Sequence, residues 1–513
     1  MPGRIEFEFR TRPGGKTPDP SGSRPMRILV MGDFTAAAQA NPPGNGTPIV
    51  ERKLYPVDID NLDQLPARLK PKTTLHLDDS LSVVFSPREL EDFHPDQLFR
   101  NLPVFDTLRD LRKRLHDNST YQDAATQLRE LISDRELPGS AANDKESPTP
   151  PSTTETDAST LERLLGKSVA ESSDAQRKGK SIVSRFISQV VSDQIVADAD
   201  PGQAVYFSAM DEAIGNLMRR ILHHPEFQRL EALWRNLHFL VTRLELDEDL
   251  QLSILDISKQ ALLEDIAHAG EQLEQSSLYR RLVEKEVQIP GTAPLSLLVG
   301  NYSFGTSAQD ISLLAALGTI ASHAGGPLLA AASPAITGCE SLAKSPDPHD
   351  WKPLDGPDLQ HWEALREHPA APWIGLAQPR MLLRLPYGEN SDEIDDFTFE
   401  ELSEPPEHEA LLWGNPAFGC AALIGEAFTQ RGWQMEPGDL LDIGELPAYS
   451  YNMDGEKKIM PCAETYLTET AAEKILGQGL MPLLSIHNSN RIRILRFQSI
   501  AKPARALAGY QGA

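Results

Sequence analysis

Residues 373–388 have the sequence WIGLAQPRMLLRLPYG, and residues 395–401 follow with the sequence DDFTFEE. The apolar run that ends at Pro379 predicts a short buried strand. Beyond this proline we predict a helical turn, which Pro386 and Gly388 end before an acidic surface loop. The side chains expected to be buried by the turn are Met381, Leu382 and Leu385.

A strand, a helix and a second strand are predicted upstream of this stretch. The apolar residues 295–299 predict a strand that Gly300 ends, and residues 306–322 predict a helix. Residues 328–332 predict the returning strand. A crossover of this length joins parallel strands. With residues 373–377 as a further strand, the pattern predicts an α/β (mixed α+β) fold.

Helical periodicity precedes these strands. Residues 208–241 carry apolar side chains at helical spacing, with a break at Pro225. Two shorter amphipathic stretches, around residues 161–169 and 182–191, come before them. The first of these has the apolar side chains Leu161, Leu164, Leu165 and Val169.

The N-terminal part also has a mixed α/β pattern. Residues 28–31 form an apolar run that predicts a strand, residues 75–85 predict a hairpin, and residues 106–116 predict a helix. Near the start of the chain, apolar residues alternate with charged ones, which is typical of an edge strand open to a partner. The apolar members are Ile5, Phe7 and Phe9. An ordinary edge strand within one domain is the alternative.

A segment rich in Pro, Ser and Thr divides the chain. Residues 137–159 contain almost no large apolar side chains, so they predict a flexible tether. We therefore expect an α/β domain at residues 1–136, a helical region at residues 160–245 and an α/β domain at residues 246–513.

Composition excludes several classes of function. The chain has 513 residues and a formal net charge of −25. Binding to nucleic acid depends on clustered basic side chains, so this charge disfavours it. No apolar run is long enough to span a bilayer and no signal peptide is evident, so we expect a cytoplasmic protein without membrane insertion.

None of the sequence motifs predicts a catalytic site. Three distant cysteines predict neither a disulfide framework nor a zinc site. The adjacent His223 and His224 cannot readily chelate one metal from a helix, and beside Pro225 they indicate a helix end. A hydrolytic triad of Ser303, Asp310 and His323 is the alternative, but no nucleophile-elbow sequence supports it. We predict no catalytic residues, no metal and no cofactor.

The C-terminal part resembles the large subunit of the type VI secretion contractile sheath. The resemblance rests on residues 221–238, 300–305 and 331–334, on the opening stretch at residues 373–401, and on Trp413 with the residues that follow it. In that family the large subunit continues beyond the point where this chain ends. The resemblance therefore implies a C-terminally truncated large subunit.

The N-terminal part resembles the small sheath subunit. The matching blocks are residues 30–34, 51–53 and 91–96, followed by Leu102 and Pro103. The two subunits are separate chains that form a heterodimer in the family, so this chain resembles a fusion in which residues 4–136 match one subunit and residues 158–500 the other.

The resemblance implies a function in assembly: a polymer of sheath subunits that contracts without hydrolysing ATP. The implied partners are further copies of the chain or sheath subunits, the secreted tube, the baseplate and a hexameric AAA+ unfoldase. In the family the N-terminal strand is shared between protomers, which makes Ile5, Phe7 and Phe9 candidates for an intermolecular contact. The position of residues 161–169 implies an unfoldase-binding helix, with packing on the fold as the alternative. A non-propagating cap or adaptor is the alternative to a sheath protomer.

Overall fold

The structure is a computed structural model. It describes residues 24–39, 47–78, 81–117, 119–133, 203–288, 291–389, 391–403, 405–453 and 455–509. We call residues 24–133 the N-terminal half and residues 203–509 the C-terminal half.

The described residues form fifteen strands. They are β1 Met26–Gly32, β2 Tyr55–Val57, β3 Thr73–His76, β4 Ser82–Phe85, β5 Leu250–Asp256, β6 Leu297–Phe304, β7 Leu328–Ala332, β8 Ile374–Gln378, β9 Met381–Leu382, β10 Trp413–Gly414, β11 Asp442–Ile443, β12 Ser450–Met453, β13 Glu456–Ile459, β14 Met481–Ser485 and β15 Ile492–Ile494.

Twelve α-helices lie in the same ranges. They are α1 Leu65–Leu69, α2 Pro95–Asn101, α3 Asp106–His116, α4 Tyr121–Ser133, α5 Gln203–Leu222, α6 Pro225–Arg243, α7 Lys259–Ala269, α8 Ser277–Tyr279, α9 Ala308–Ala324, α10 Gly356–Glu367, α11 Pro416–Arg431 and α12 Glu469–Gly477. None of these helices is long and apolar enough to cross a bilayer.

One sheet contains strands from both halves. Its order across the described residues is β11-β15-β14-β8-β7-β6-β1-β5-β2. The six central strands, from β14 to β5, run parallel to one another, and antiparallel strands complete both sides. The predicted α/β class is therefore confirmed.

Strand β1 is buried on both faces of this sheet. Ile28 and Val30 belong to the core that contains α5, α6, α11 and most of the N-terminal half. Leu29 and Met31 belong to the core on the other side, with α7, α9, α10 and α12. A strand covered by helices on both faces needs apolar residues at every position, which explains the continuous apolar run in its sequence.

Several predicted elements are confirmed. The helix predicted at residues 106–116 is α3, and the returning strand at residues 328–332 is β7. The predicted hairpin is the antiparallel pair β3 and β4. The helical region breaks before Pro225, between α5 and α6, as predicted. Strands β6 and β7 are parallel, as the crossover length indicates.

The helical turn predicted after Pro379 is wrong. Met381 and Leu382 form β9, which pairs antiparallel with β10. They are fully buried, as expected, whereas Leu385 is only partly buried. The Leu382 N–H donates to the carbonyl of Cys462 at 2.8 Å, a partner 80 positions away in the chain that local periodicity cannot reveal.

Two further expectations are corrected. Gly300 does not end its strand, because β6 continues to Phe304. The segment after Gly388 is not simply an acidic surface loop either. Phe397, Phe399 and Glu401 are buried there, while Asp395 and Glu400 are exposed and Asp396 pairs with Arg100.

Candidate functional site: the junction between the two halves

The backbone of β1 joins the two halves directly. Residues 26–32 pair in register with residues 250–256 of β5, and residues 28–31 pair with residues 297–300 of β6. The ladder continues past both ends of the strand, where the Ile257 N–H donates to the Gly32 carbonyl at 2.8 Å. Both edges of β1 are therefore satisfied by the C-terminal half.

A polar contact secures the segment that follows β1. Thr35 Oγ1 donates to Asp256 Oδ2 at 2.7 Å, and the Thr35 N–H donates to Oδ1 at 3.1 Å. Arg52 donates to the Asp256 carbonyl at 2.8 Å, and its own carbonyl accepts from Arg281 at 2.7 Å. Burial raises the pKa of Asp256, although the hydrogen bonds from Thr35 oppose this effect.

Aromatic side chains from both halves interlock in the core. Phe227 of α6 lies with its ring centroid 5.0 Å from Phe85 and 5.6 Å from Phe93. Phe34 meets Trp234 of the same helix edge to face at 5.2 Å. Edge-to-face packing between buried rings adds to the free energy gained by burying their area. Helix α6 therefore supplies two of the aromatic side chains through which the C-terminal half contacts the N-terminal half.

The sequence EDFHPD at residues 91–96 forms the polar side of the junction. His94 caps α2 by accepting from the Asp96 N–H, and its ring packs on Tyr387 with centroids 5.0 Å apart. Asp96 accepts hydrogen bonds from the N–H groups of Asp395 and Asp396 at 3.2 and 3.1 Å. Arg100 adds an ion pair of 2.6 Å with Asp396.

A buried cluster of charges supports the loop that receives these contacts. Arg384 binds Glu401 through two parallel hydrogen bonds of 2.7 and 2.9 Å, and it also donates to Glu231 at 2.9 Å. Arg235 donates to the same Glu231 oxygen at 2.7 Å and to the Tyr387 hydroxyl at 3.0 Å. The cluster therefore ties α6 to the segment at residues 384–401.

The protonation states in this cluster follow from burial and pairing. Burial of Glu401 disfavours its charged form, but the positive charge of Arg384 and the hydrogen bonds from His223, Arg384 and the Tyr387 N–H together outweigh that effect and lower the pKa of Glu401 to about 2. Burial acts against the charge of Arg384 as well, yet Glu231 and Glu401 raise its pKa well above the usual value. Burial raises the pKa of Tyr387. Arg384 and Glu401 are thus both ionised at neutral pH.

Neither the two adjacent histidines nor the alternative triad forms a catalytic or metal-binding arrangement in the structure. His224 accepts from the Glu226 N–H and caps α6, which confirms that the pair indicates a helix end. Asp310 and His323 lie near opposite ends of α9, about 20 Å apart at 1.5 Å per residue. Asp310 instead pairs with Lys259 at 2.6 Å. The structure does not bring the three triad residues together.

The described residues contain no cluster of His, Cys, Asp or Glu that could hold a metal ion. The three cysteines are buried free thiols. Burial raises the pKa of Cys420 to about 12 and that of Cys462 to about 11, so neither thiol is activated as a nucleophile at neutral pH.

Some predicted residues lie outside the described residues. They are Ile5, Phe7 and Phe9 of the candidate intermolecular strand, Leu161, Leu164, Leu165 and Val169 of the candidate unfoldase-binding helix, and the segment at residues 137–159.

The role of Arg384 was missed by sequence reasoning, although a signal was present. Arg384 stands between Leu383 and Leu385 in a run of apolar residues. A cation in such a run must find a partner if the run is buried. The acidic residues Glu400 and Glu401 lie within 17 positions of Arg384 and are candidates for that partner.

Comparison with known proteins covers both halves. Residues 205–501 match the family model described as EvpB/VC_A0108, tail sheath N-terminal domain. Residues 2–137 match the model described as type VI secretion system, VipA, VC_A0107 or Hcp2.

A curated relative agrees with the first of these matches. The type VI secretion system sheath protein TssC1 of Pseudomonas aeruginosa is 33% identical over 303 residues, which are 58% of this chain and 61% of that protein. The chain therefore belongs to the type VI secretion tail sheath family, with a small-subunit (VipA) part and a large-subunit (VipB) part fused in one polypeptide.

Proposed function

We propose that this chain is a structural protomer of a type VI secretion contractile sheath, in which the fused halves act as one unit. The observation that carries this proposal is the position of β1. A strand from the small-subunit part lies between two strands of the large-subunit part, with backbone pairing on both sides. Such a strand cannot leave without exposing two unpaired edges.

The contacts around β1 support the same role. Apolar rings, the Thr35–Asp256 hydrogen bonds and the hydrogen bonds from the Asp395 and Asp396 N–H groups to Asp96 connect the halves at separate places. A protomer whose two halves are rigidly joined transmits force to its neighbours through its surface contacts. Contraction would then change the contacts between protomers while each protomer keeps its fold.

We propose a structural rather than a catalytic role within the cytoplasm. Membership of a sheath family supports this role. The separation of Asp310 from His323 and the absence of activated thiols among the described cysteines agree with it.

The proposed partners are further copies of this chain or other sheath subunits, the secreted tube, the baseplate and a hexameric AAA+ unfoldase. We propose that Ile5, Phe7 and Phe9 form the strand that pairs with a neighbouring protomer. We propose residues 161–169 as the unfoldase-binding helix. The alternating pattern of the first set and the amphipathic pattern of the second support these assignments.

Electron microscopy of the purified chain, alone and mixed with ordinary sheath subunits, tests the main proposal. Long tubes that contain the chain are expected. Discrete complexes alone, or ordinary tubes that become shorter and capped when the chain is added, would contradict the protomer and favour a cap or adaptor.

Two substitutions test the proposed contacts separately. Phe7→Lys should prevent tube formation without lowering the melting temperature, because it places a charge on the apolar face that the strand would bury when it joins a neighbouring protomer. Leu165→Glu should leave tubes intact and abolish pull-down of the unfoldase. Tubes of normal length with Phe7→Lys would contradict the strand, and unchanged pull-down with Leu165→Glu would contradict the helix.

A further inference from the structure

A cavity of about 590 Å³ opens where three parallel strands end. Its lining includes the last residue of β8, Gln378, and residues near the ends of β6 and β7. One face of α6 and the start of α11 close it from the other side. In open parallel sheets, ligands bind in the crevice outside the carboxyl ends of the strands. The volume is within the range of ligand sites in proteins.

Two buried amide side chains in this lining have no hydrogen-bond partner. Asn236 and Gln378 are each 1% exposed. Both the nitrogen and the oxygen of each amide are without a partner. Buried polar groups are almost always paired, because an unpaired one has lost its hydration without compensation. Four unpaired atoms from two residues of one cavity wall point to a group that pairs with them.

The backbone beside Asn236 leaves room for its amide. A β-carbon at Gly414 would lie 2.6 Å from Asn236 Oδ1 and 2.6 Å from side-chain carbons of Leu383. Any residue other than glycine would therefore push the Asn236 amide out of its place. The Asn415 side chain donates instead to the carbonyls of Gly300 and Tyr302. The neighbouring amide of Asn415 is thus already engaged, whereas those of Asn236 and Gln378 are not.

The type of unpaired atom limits the ligand. A primary amide offers two N–H donors and one carbonyl acceptor. A carboxylate or phosphate would satisfy only the donors, and a cation would satisfy only the acceptors. A peptide group supplies both a carbonyl and an N–H, so consecutive peptide groups of an extended segment could satisfy both amides.

The charged residues of the lining favour a basic ligand. Glu340, Glu409 and Glu464 outnumber Arg229 and Arg380. Arg380 pairs with Glu464 at 2.6 Å and with Glu409 at 3.2 Å, so these charges partly offset one another, and the lining keeps an excess of one negative charge. A hydrogen bond from His408, with further help from Arg380, lowers the pKa of Glu409 to about 2, so this carboxylate is charged at neutral pH.

We propose that this cavity binds an extended peptide segment that carries a basic side chain, with its backbone amide groups held by Asn236 and Gln378. The site goes beyond the sheath protomer proposed above and does not depend on it. The partner that supplies such a segment is defined by that chemistry.

Binding of blocked tripeptides to the full chain tests this site. The probes are acetyl-Gly-Lys-Gly-amide and acetyl-Gly-Glu-Gly-amide at millimolar concentration, with NMR detection of the side-chain amide signals of Asn236 and Gln378. We expect the lysine peptide to shift both signals and to bind more tightly than the glutamate peptide. Absence of any shift with the lysine peptide, or equal binding of both peptides, would overturn the proposal.

Two nearly isosteric substitutions give a second readout. Asn236→Leu and Gln378→Met should each weaken binding of the lysine peptide about tenfold, because each removes hydrogen bonds to the ligand. The melting temperature should stay the same or rise, since each change removes an unpaired buried amide. Gln434→Met, on an exposed residue outside this cavity, is the matched control and should change neither quantity.

The stability readout separates the ligand site from a purely structural role. If both amides served the fold alone, for example through ordered water, the two variants would melt at a clearly lower temperature and bind the peptide as before. That result would overturn the proposal whether or not the chain forms tubes.

Discussion

Arg384 and Glu401 form a buried bidentate ion pair, with N···O distances of 2.7 and 2.9 Å. The side chain of Arg384 is 6% exposed and that of Glu401 is fully buried. Between them in the chain lies the loop whose Phe397 packs on Phe99 of the N-terminal half. The pair closes this loop and thereby holds it against its partner surface.

Removing one member of this pair should destabilise the protein strongly. Arg384→Met leaves Glu401 buried without its main counter-charge. We expect a loss of about 3–5 kcal/mol in the free energy of unfolding. Chemical unfolding at neutral pH, followed by circular dichroism, measures this loss.

An exposed ion pair provides the matched control. Arg431 pairs with Asp439 at 2.9 Å, but its side chain is 59% exposed. Arg431→Met should change the free energy of unfolding by less than about 1 kcal/mol, since water screens such pairs. Equal effects of the two substitutions would show that burial of the Arg384 cluster does not matter for stability.

Acid should weaken the fold through Glu401. Its folded-state pKa of about 2 lies below the ordinary value of 4.5, so the charged form stabilises the folded state above pH 4.5. This stabilisation is lost as the pH falls from about 4.5 to about 2. For one group it amounts to about 3 kcal/mol. The free energy of unfolding, measured across this pH range, should fall accordingly.

A variant that cannot titrate identifies the group responsible. Glu401→Gln should be less stable than the original chain at neutral pH, and its stability should depend less on pH between 4.5 and 2. Glu271→Gln, on an exposed residue, should leave the pH profile unchanged. If the profile of Glu401→Gln matched that of the original chain, the acid sensitivity would come from other groups.

Much of the local structure could be predicted from the sequence. Helix α3 and strands β1 and β7 follow from the spacing or continuity of their apolar residues. The break before Pro225 follows from the chemistry of proline. These features depend on neighbours within a few positions, which periodicity detects.

The junction itself could not be predicted from such patterns. The pairing of β1 with β5 joins residues more than 220 positions apart, and no local pattern encodes that register. For the same reason β9 was mistaken for a helical turn. Its apolar residues suit either structure, and the distant partner β10 decides between them. Family resemblance indicated that the two halves associate, but it did not show that they share a sheet.

Cutting the chain between its halves should not separate them. A protease site introduced between Pro150 and Pro151 allows a clean cut outside the described residues. Because β1 is paired along both edges, the two fragments should elute together in gel filtration and separate only in denaturant. Separation of the fragments in native buffer would contradict the shared sheet.

We expect the contact between Phe93 and Phe227 to contribute a measurable coupling free energy between the two halves. Their rings meet edge to face at 5.6 Å, and both side chains are fully buried. Phe93→Leu and Phe227→Leu should each cost about 1–2 kcal/mol in unfolding free energy. In a double-mutant cycle we expect a coupling of about 1 kcal/mol.

A pair from separate cores serves as the control for this cycle. Ile475 belongs to the core on the other side of the sheet. Phe93→Leu and Ile475→Val should therefore be additive within about 0.5 kcal/mol. Additivity of the two Phe substitutions as well would mean that the rings contribute only through their separate burial.

Gly414 should tolerate no side chain, for reasons of space and not of backbone conformation. A β-carbon there would lie 2.6 Å from Asn236 Oδ1 and equally close to Leu383. Asn236 is part of α6 and Leu383 directly follows β9, so neither can move aside freely and Gly414→Ala should cost about 1–3 kcal/mol in unfolding free energy. The matched change is Gly477→Ala at the end of α12, where a β-carbon meets nothing within 4 Å. That substitution should be neutral or slightly stabilising, since alanine favours the helix. Thermal unfolding of both variants decides the matter: if Gly414→Ala melts like Gly477→Ala, the wall around Asn236 can give way, and the tight packing inferred at the end of β10 is wrong.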